Sequence, residues 1–359
     1  MVIKTVNDQS LIDIANAIRE KTGKSNSIEF PNGFVNEIGE IKVASEEIVI
    51  TDFSYFHYTN SRLELLGKID TSQGTKFSYM FSGCGELETV PKIDTGKGID
   101  FTRMFYNCSK LTSVPDLNLS NAKTLEAMFS MCTGLLSIPT IDMSKTETFY
   151  NMFYGCGGLT SVPNFNMRNG INFKAMFQNC SNIASVGVLD TINGTDFSNM
   201  FNGCKNLKSV TRIGTDNAED LSSLFQNCEN LMNVPEFVTT HVTKFSGMFR
   251  GCKKLTSIPN LYTSNGTTFN YMFMGCSELT SLPPIDIGKS SDGCANMFNG
   301  CEKLTSVTFT GGTPAKIYTT MFSGCTALTT INVPWAEGAV SGAPWGAPSN
   351  PTINYNHTT

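Results

Sequence analysis

Charge is scarce in this chain. Asp, Glu, Lys and Arg make up 16% of its 359 residues, and the formal net charge is -5. No basic patch or Lys/Arg run occurs, which argues against nucleic acid as a partner. No apolar run approaches the ~18 residues a bilayer span needs, so membrane insertion is not expected. The start, Met1-Val2-Ile3-Lys4-Thr5-Val6-Asn7-Asp8, lacks the apolar core of a secretory signal, and no lipobox or sortase-type anchor is visible. Histidine occurs three times, at His57, His241 and His357, each far from the others and without metal-type neighbours, so each reads as a surface residue. CxxC, HExxH, GxSxG and P-loop motifs are missing. Cys294 and Cys301 stand seven apart, but zinc would need further ligands that the sequence does not offer. The expectation is a protein that is not an enzyme and holds no cofactor or metal.

What is abundant is a repeat. Residues 80–91 read MFxxCxxLxxVP, and the pattern returns ten more times. Its phenylalanine stands at Phe81, Phe105, Phe129, Phe153, Phe177, Phe201, Phe225, Phe249, Phe273, Phe298 and Phe322, in steps of 24 residues except for 25 before Phe298. Fixed self-similarity at this period marks stacked units, each packing only on its neighbours. The expected fold is an α/β repeat: a leucine-rich-repeat-like solenoid of eleven turns over residues 76–333, each turn a short helix plus a short parallel strand. Residues 1–45 form a small helical docking segment, 46–75 a cap, and 334–359 a second cap carrying Trp335 and Trp345.

The helix expectation comes from three columns, counted from Phe77 as position 1. Position 24 is Asp, Thr or Asn in seven of the eight copies from Asp100 to Thr268, the residues that cap helix N-termini. Positions 1, 4, 5 and 8 carry Phe, Met, Phe and Cys, the spacing of one helix face. Position 7 is Gly or Asn in every copy except at Met131, as a left-handed helix end requires. The LxxV that follows predicts a strand, shortened or bulged where Pro stands at position 15.

Eleven of the twelve cysteines occupy position 8, and the twelfth, Cys294, takes a position usually held by Phe. A column of small thiols reads as packing rather than as a disulfide framework. Asp94, Asp190 and Asp286 at position 18 read as turn-forming residues. Tyr79, Tyr106, Tyr150, Tyr154 and Tyr271 fall at outward positions 2, 3 and 6, and with Trp335 and Trp345 they are the candidate receptor-binding residues.

The MFxxCxxLxxVP array resembles the BspA-like group of bacterial surface leucine-rich repeats, in its Met-Phe-rich branch. That resemblance implies a right-handed solenoid used for adhesion or recognition. Ser10 to Gly23 followed by Phe30-Pro31-Asn32-Gly33-Phe34, and the ending Val333-Pro334-Trp335 with Ala343-Pro344-Trp345-Gly346-Ala347, resemble the ends of tail and baseplate-associated phage proteins. The implied function is a structural and recognition component of a phage or prophage tail, made in the host cytoplasm and carried in the virion. Its N-terminal segment would dock to other tail proteins through Leu11, Ile14, Ile18, Phe34 and Ile38, and its solenoid would meet a host-surface glycan or protein. The alternative is a bacterial cell-surface adhesin of the same repeat group. Homo-oligomerisation is open in either reading.

Overall fold

The computed structural model describes Val2–Ile3, Val49–Ile50, residues 53–54 and residues 71–358 apart from 91, 114–115, 315–316 and 319. The expected helical docking segment, with Leu11, Ile14, Ile18, Phe34 and Ile38, lies outside these residues. The chain divides into two compact units, Met1–Gly158 and Leu159–Thr359. Both are built of parallel β-solenoid turns. No helix occurs among the described residues, and regular parallel pairing marks about eight turns rather than eleven helix-bearing ones.

The stretch expected to be a helix is a run of overlapping turns. In the first unit Met80, Ser82 and Cys84 donate their N–H groups to the carbonyls of Phe77, Tyr79 and Phe81 (3.3, 3.0 and 3.1 Å). The intervening N–H groups leave the turn altogether. Phe77, Tyr79, Phe81 and Gly83 donate to Asp100, Thr102, Met104 and Tyr106 of the next copy at 2.7–2.9 Å. The second unit repeats this, with Phe197, Asn199, Phe201 and Gly203 donating to Asp220, Ser222, Leu224 and Gln226. Positions 3 and 7 have positive φ, for example 58° at Tyr79 and 77° at Gly83, and this makes the turns closed by Met80 and Cys84 type II. A free-standing two-turn helix leaves its first four N–H groups without partners. In the copies headed by Asp100, Asp196 and Asp220 the stacked turns leave none in these eight positions, because the Asp caps the remaining one, accepting from the N–H two residues on at 2.8–2.9 Å. The capping residues are therefore caps, but of a turn stack.

Among the described residues ten short strands accompany the turns. β1 (Val2–Ile3) pairs in parallel with β2 (Val49–Ile50) in the first unit. The second unit holds β3 (Ser161–Val162), β4 (Phe165–Asn166), β5 (Ser185–Asp190), β6 (Ser209–Ile213), β7 (Ile285–Asp286), β8 (Ser306–Thr310), β9 (Thr330–Asn332) and β10 (Thr352–Asn354). Register is set by the repeat: Ser161 pairs with Ser185 and Ser185 with Ser209. Proline decides where the strands run. The four copies with Gly187, Thr211, Thr308 or Asn332 at position 15 have a strand through it. Pro163 instead separates β3 from β4, and Pro139, Pro235, Pro259 and Pro283 lie outside strands. Pro has no N–H to give to a ladder.

The core is a set of ladders. Phe81, Phe105, Phe129 and Phe153 stack at 5.1–5.6 Å in the first unit, with ring planes within 7°. Phe177 through Phe322 stack at 5.3–6.0 Å in the second. These separations suit offset aromatic stacking. All twelve cysteines are buried and free. Most of the position-8 thiols point to the carbonyl of the position-5 Phe one turn back, as Cys108 does to Phe81 and Cys204 to Phe177 (both 3.1 Å). Burial raises the pKa of these thiols, to about 12 at Cys156 and Cys325. Buried Thr71 and Thr95 in the first unit, and Thr215, Thr239 and Thr263 in the second, form further ladders, each Oγ1 accepting a backbone N–H from the next turn at 2.7–2.9 Å.

Residues flanking the expected copies stack on them. Phe53 stands 24 residues before Phe77, stacks on it at 5.5 Å, and donates its N–H to the Lys76 carbonyl (2.7 Å). In the second unit, the Phe322 N–H bonds to Trp345 O (3.1 Å), where earlier turns bond to a Met or Leu carbonyl. Ser349 takes the cysteine's place, bonding Cys325 O and Leu328 O. Trp345 is fully buried, and Trp335 meets it edge-on at 6.4 Å while stacking on Phe309 at 6.1 Å.

Candidate recognition surface

With positions 1, 4, 5 and 8 committed to the core, the turn face shows the solvent positions 2, 3 and 6. Tyr79, Tyr106, Tyr150 and Tyr154 lie on that face of the first unit, and Tyr271 on that of the second. Tyr106 and Tyr271 are each 38% exposed, and Tyr79, Tyr150 and Tyr154 are half-buried. The structure joins the tyrosines to arginines that the sequence reading passed over. In the first unit Arg103 lies over the Tyr79 ring at 5.5 Å and the Tyr106 ring at 6.0 Å, and its Nη1 donates to Tyr79 Oη at 2.8 Å. In the second unit Arg250 lies over the Tyr271 ring at 5.2 Å. These distances are those of cation–π contacts. A signal for the first pair was available: Tyr79 and Arg103 occupy the same column one repeat apart.

Tyr79, Arg103 and Tyr271 all hold position 3 with φ of 58°, 54° and 62°. A left-handed conformation costs an L-residue roughly 1–2 kcal/mol. Asn151, Asn199, Asn296 and Gly247 fill the same position in other copies, where that conformation is cheap. Ala127, Ala175 and Ser223 share the strain without an aromatic or cationic group, so the pairing with its neighbour is what distinguishes the Arg–Tyr sites.

The remaining candidates are placed elsewhere. Trp335 and Trp345 are 4% and 0% exposed, sealed into the last turn and away from solvent. Asp94 and Asp286 accept the N–H two residues on at 2.9 and 2.8 Å, as turn-formers do, and Asp190 accepts from Arg168 Nε at 3.2 Å. Hydrogen bonds from the Ser144 side chain and backbone hold the Asp142 carboxyl below its ordinary value. His241 Nδ1 lies 3.2 Å from the Asp216 carbonyl oxygen. Cys294 Sγ lies 3.3 Å from Ser290 Oγ and Cys301 Sγ 3.1 Å from Phe273 O, so the two thiols have separate partners. Among the described residues no group of three or more His, Cys, Asp or Glu side chains could hold a metal. Exposed ion pairs such as Lys123–Glu147 (2.8 Å) and Lys253–Glu229 (2.7 Å) tie adjacent turns, at the modest value of surface pairs.

Residues 34–140, 123–234, 195–310 and 219–335 each match the family described as Mycoplasma protein of unknown function, DUF285. The chain belongs to this family. No curated protein matches this DUF285 chain. Among solved structures, it is similar to a leucine-rich cell surface protein from Faecalibacterium prausnitzii, with 18% identity, 81% of this chain and 74% of that one covered, and a TM-score of 0.40. It is also similar to a leucine-rich repeat protein from Bacteroides ovatus (16% identity, 78% and 87% covered, TM-score 0.31). An internalin from Listeria monocytogenes is a third (14% identity, 97% and 95% covered, TM-score 0.27). The first two are bacterial leucine-rich-repeat proteins, and an association with phage tails is not shown.

Proposed function

We propose that this protein is a non-enzymatic recognition protein of adhesin type, which binds a partner on a cell surface through the turn face of its solenoid. The observation that carries the reading is the pair of arginine–tyrosine stacks, Arg103 with Tyr79 and Tyr106, and Arg250 with Tyr271. Tyrosine and arginine are the residues that dominate binding hot spots. Here they sit on a backbone made rigid by hydrogen bonds to the neighbouring turn, so little ordering entropy is lost on binding. The test is binding of fluorescent protein to a panel of bacterial and epithelial cells, read by flow cytometry. Wild type should bind saturably, and Arg103→Ala with Arg250→Ala should reduce that binding severalfold without changing the melting temperature much. No saturable binding, or binding untouched by both changes, refutes the reading.

The end motifs that resemble phage proteins favour a second reading, a tail component whose first 45 residues dock to the baseplate. Antibody labelling of a lysogen carrying this gene, and of the virions purified from it, separates the two. Label on tails supports the tail reading, and label confined to the cell envelope supports the adhesin.

A further inference from the structure

The loop face, opposite in role to the turn face, carries one column with a departure that the fold does not need. Position 18 is the turn-forming column: Asp94, Asn118, Asp142, Asn166 and Asp286 each accept the N–H two residues on at 2.8–3.3 Å. At residue 262 this device is given up for a tyrosine, which is 66% exposed, more than any other large hydrophobic or aromatic side chain described as exposed. The backbone there is not adapted to it in any special way, since the Tyr262 N–H still bonds Thr239 Oγ1 at 2.7 Å like its equivalents. Places where a local rule is broken without a structural gain are where function is to be sought.

Tyr262 borders a cleft of about 240 Å³ whose wall also holds Asn260, Ser264 and Asp286. The Asp286 carboxylate is fixed in place. Its Oδ1 accepts the Gly288 N–H at 2.8 Å, and it rests on Gly311, where any Cβ would come within 2.0 Å of Oδ1. Its Oδ2 takes part in no hydrogen bond among the described residues. In the preceding turn, position 18 is Val238, 43% exposed, so Val238, Tyr262 and Asp286 hold one column in three consecutive turns. The strip thus offers an apolar step, an exposed aromatic face and a fixed acceptor flanked by amide and hydroxyl groups.

We infer that this cleft is a glycan-binding site for a neutral sugar chain. The Tyr262 ring would stack on the apolar C–H face of one sugar, and Asp286 Oδ2 and the Asn260 amide would take its hydroxyls. A pyranose presents this combination, one apolar face and an equatorial rim of hydroxyls, and the open cleft suits a chain passing through. The inference deepens the recognition reading by naming a ligand class, but it stands on residues separate from the arginine–tyrosine stacks.

The experiment is titration of the full chain with cellotetraose, xylotetraose, mannotetraose, maltotetraose and chitotetraose, followed by calorimetry and saturation-transfer NMR. At least one should bind wild type. Tyr262→Asp, which restores the residue type that other copies carry at position 18 and so keeps the fold, should weaken that binding about tenfold, the loss of ~1.4 kcal/mol. Tyr262→Phe should bind within a few-fold of wild type, because the ring remains. The site is overturned if none of the five sugars binds wild type, or if Tyr262→Asp binds as wild type does. Cell binding by wild type with no sugar bound sinks this site and leaves the recognition reading intact. Sugar binding without cell binding does the reverse.

Discussion

Raising the pH should unfold this protein cooperatively at about pH 9.5 to 10, because its thiols are acids that the folded chain cannot ionise. Burial holds Cys108, Cys132, Cys156, Cys204, Cys228, Cys252, Cys276, Cys294, Cys301 and Cys325 above their ordinary pKa of 9.0. A group raised in the folded state contributes stability that is whole below its unfolded pKa and is lost as pH climbs toward the folded value, which is about 12 at Cys156. At pH 10 an unfolded thiol is about nine-tenths ionised, which favours unfolding by ~1.4 kcal/mol per thiol. Ten such thiols amount to ~14 kcal/mol, against ~5–15 kcal/mol for the whole stability of a typical domain. The assay is urea unfolding followed by circular dichroism at pH 7.5, 8.5, 9.5 and 10 with a phosphine reductant present. The slope of unfolding free energy against pH counts the protons released, so it separates thiols from any simple loss of packing. Replacing Cys204, Cys228 and Cys252 with Ala should lower that slope by about three protons per molecule. Equal urea stability at pH 7.5 and 9.5, or a slope indifferent to those three substitutions, would show that the thiol column does not control stability.

Three further outcomes are expected. A thiol reagent should label none of the twelve buried cysteines of the native protein within minutes and all of them in denaturant. Gly203→Ala, at φ 79° and with its new Cβ 2.4 Å from Asn179 Oδ1, should destabilise by about 2 kcal/mol in chemical denaturation, whereas Met131→Asn, at φ 64°, should be neutral or stabilising by up to about 1 kcal/mol. Pro163→Thr should join β3 to β4 and give slowly exchanging amides across residues 161–166, read by hydrogen exchange.

The period, the inward columns and the burial of every cysteine were legible in the sequence because each repeats at one position through the chain. The helix was not, and the reason is specific. Phe77, Met80, Phe81 and Cys84 fall on one side of a two-turn helix, but they fall equally on one side of two successive type II turns, and side-chain spacing cannot tell these apart. The discriminating signal lay in position 3. Asn151, Asn199, Asn296 and Gly247 ask there for the same left-handed backbone that Gly and Asn supply four residues later, and a helix cannot contain such a residue in its middle. Phe53 was overlooked as the head of a further turn because its copy keeps Phe at position 1 and has His57 where others carry Phe. The outward placement of the tyrosine columns was legible too. Arg103, Arg250 and Tyr262 were not, since each matters through a neighbour 24 or so residues away rather than through its own position.

The same hydrogen-bond scheme explains why an array this regular can still carry particular sites. Every N–H of positions 1 to 8 in a turn such as 197–204 is bonded either to the turn itself, to the next turn, or to the position-24 cap. The side chains at positions 3 and 6 are not required for any of those bonds, and position 18 contributes one local bond that Tyr262 and Val238 do without. Substitution at these columns therefore costs local strain at most, while substitution at Phe201 or Cys204 opens a void between two stacked neighbours. Arg103 and Tyr271 at position 3, Arg250 at position 6 and Tyr262 at position 18 occupy positions whose side chains the scaffold leaves free to vary.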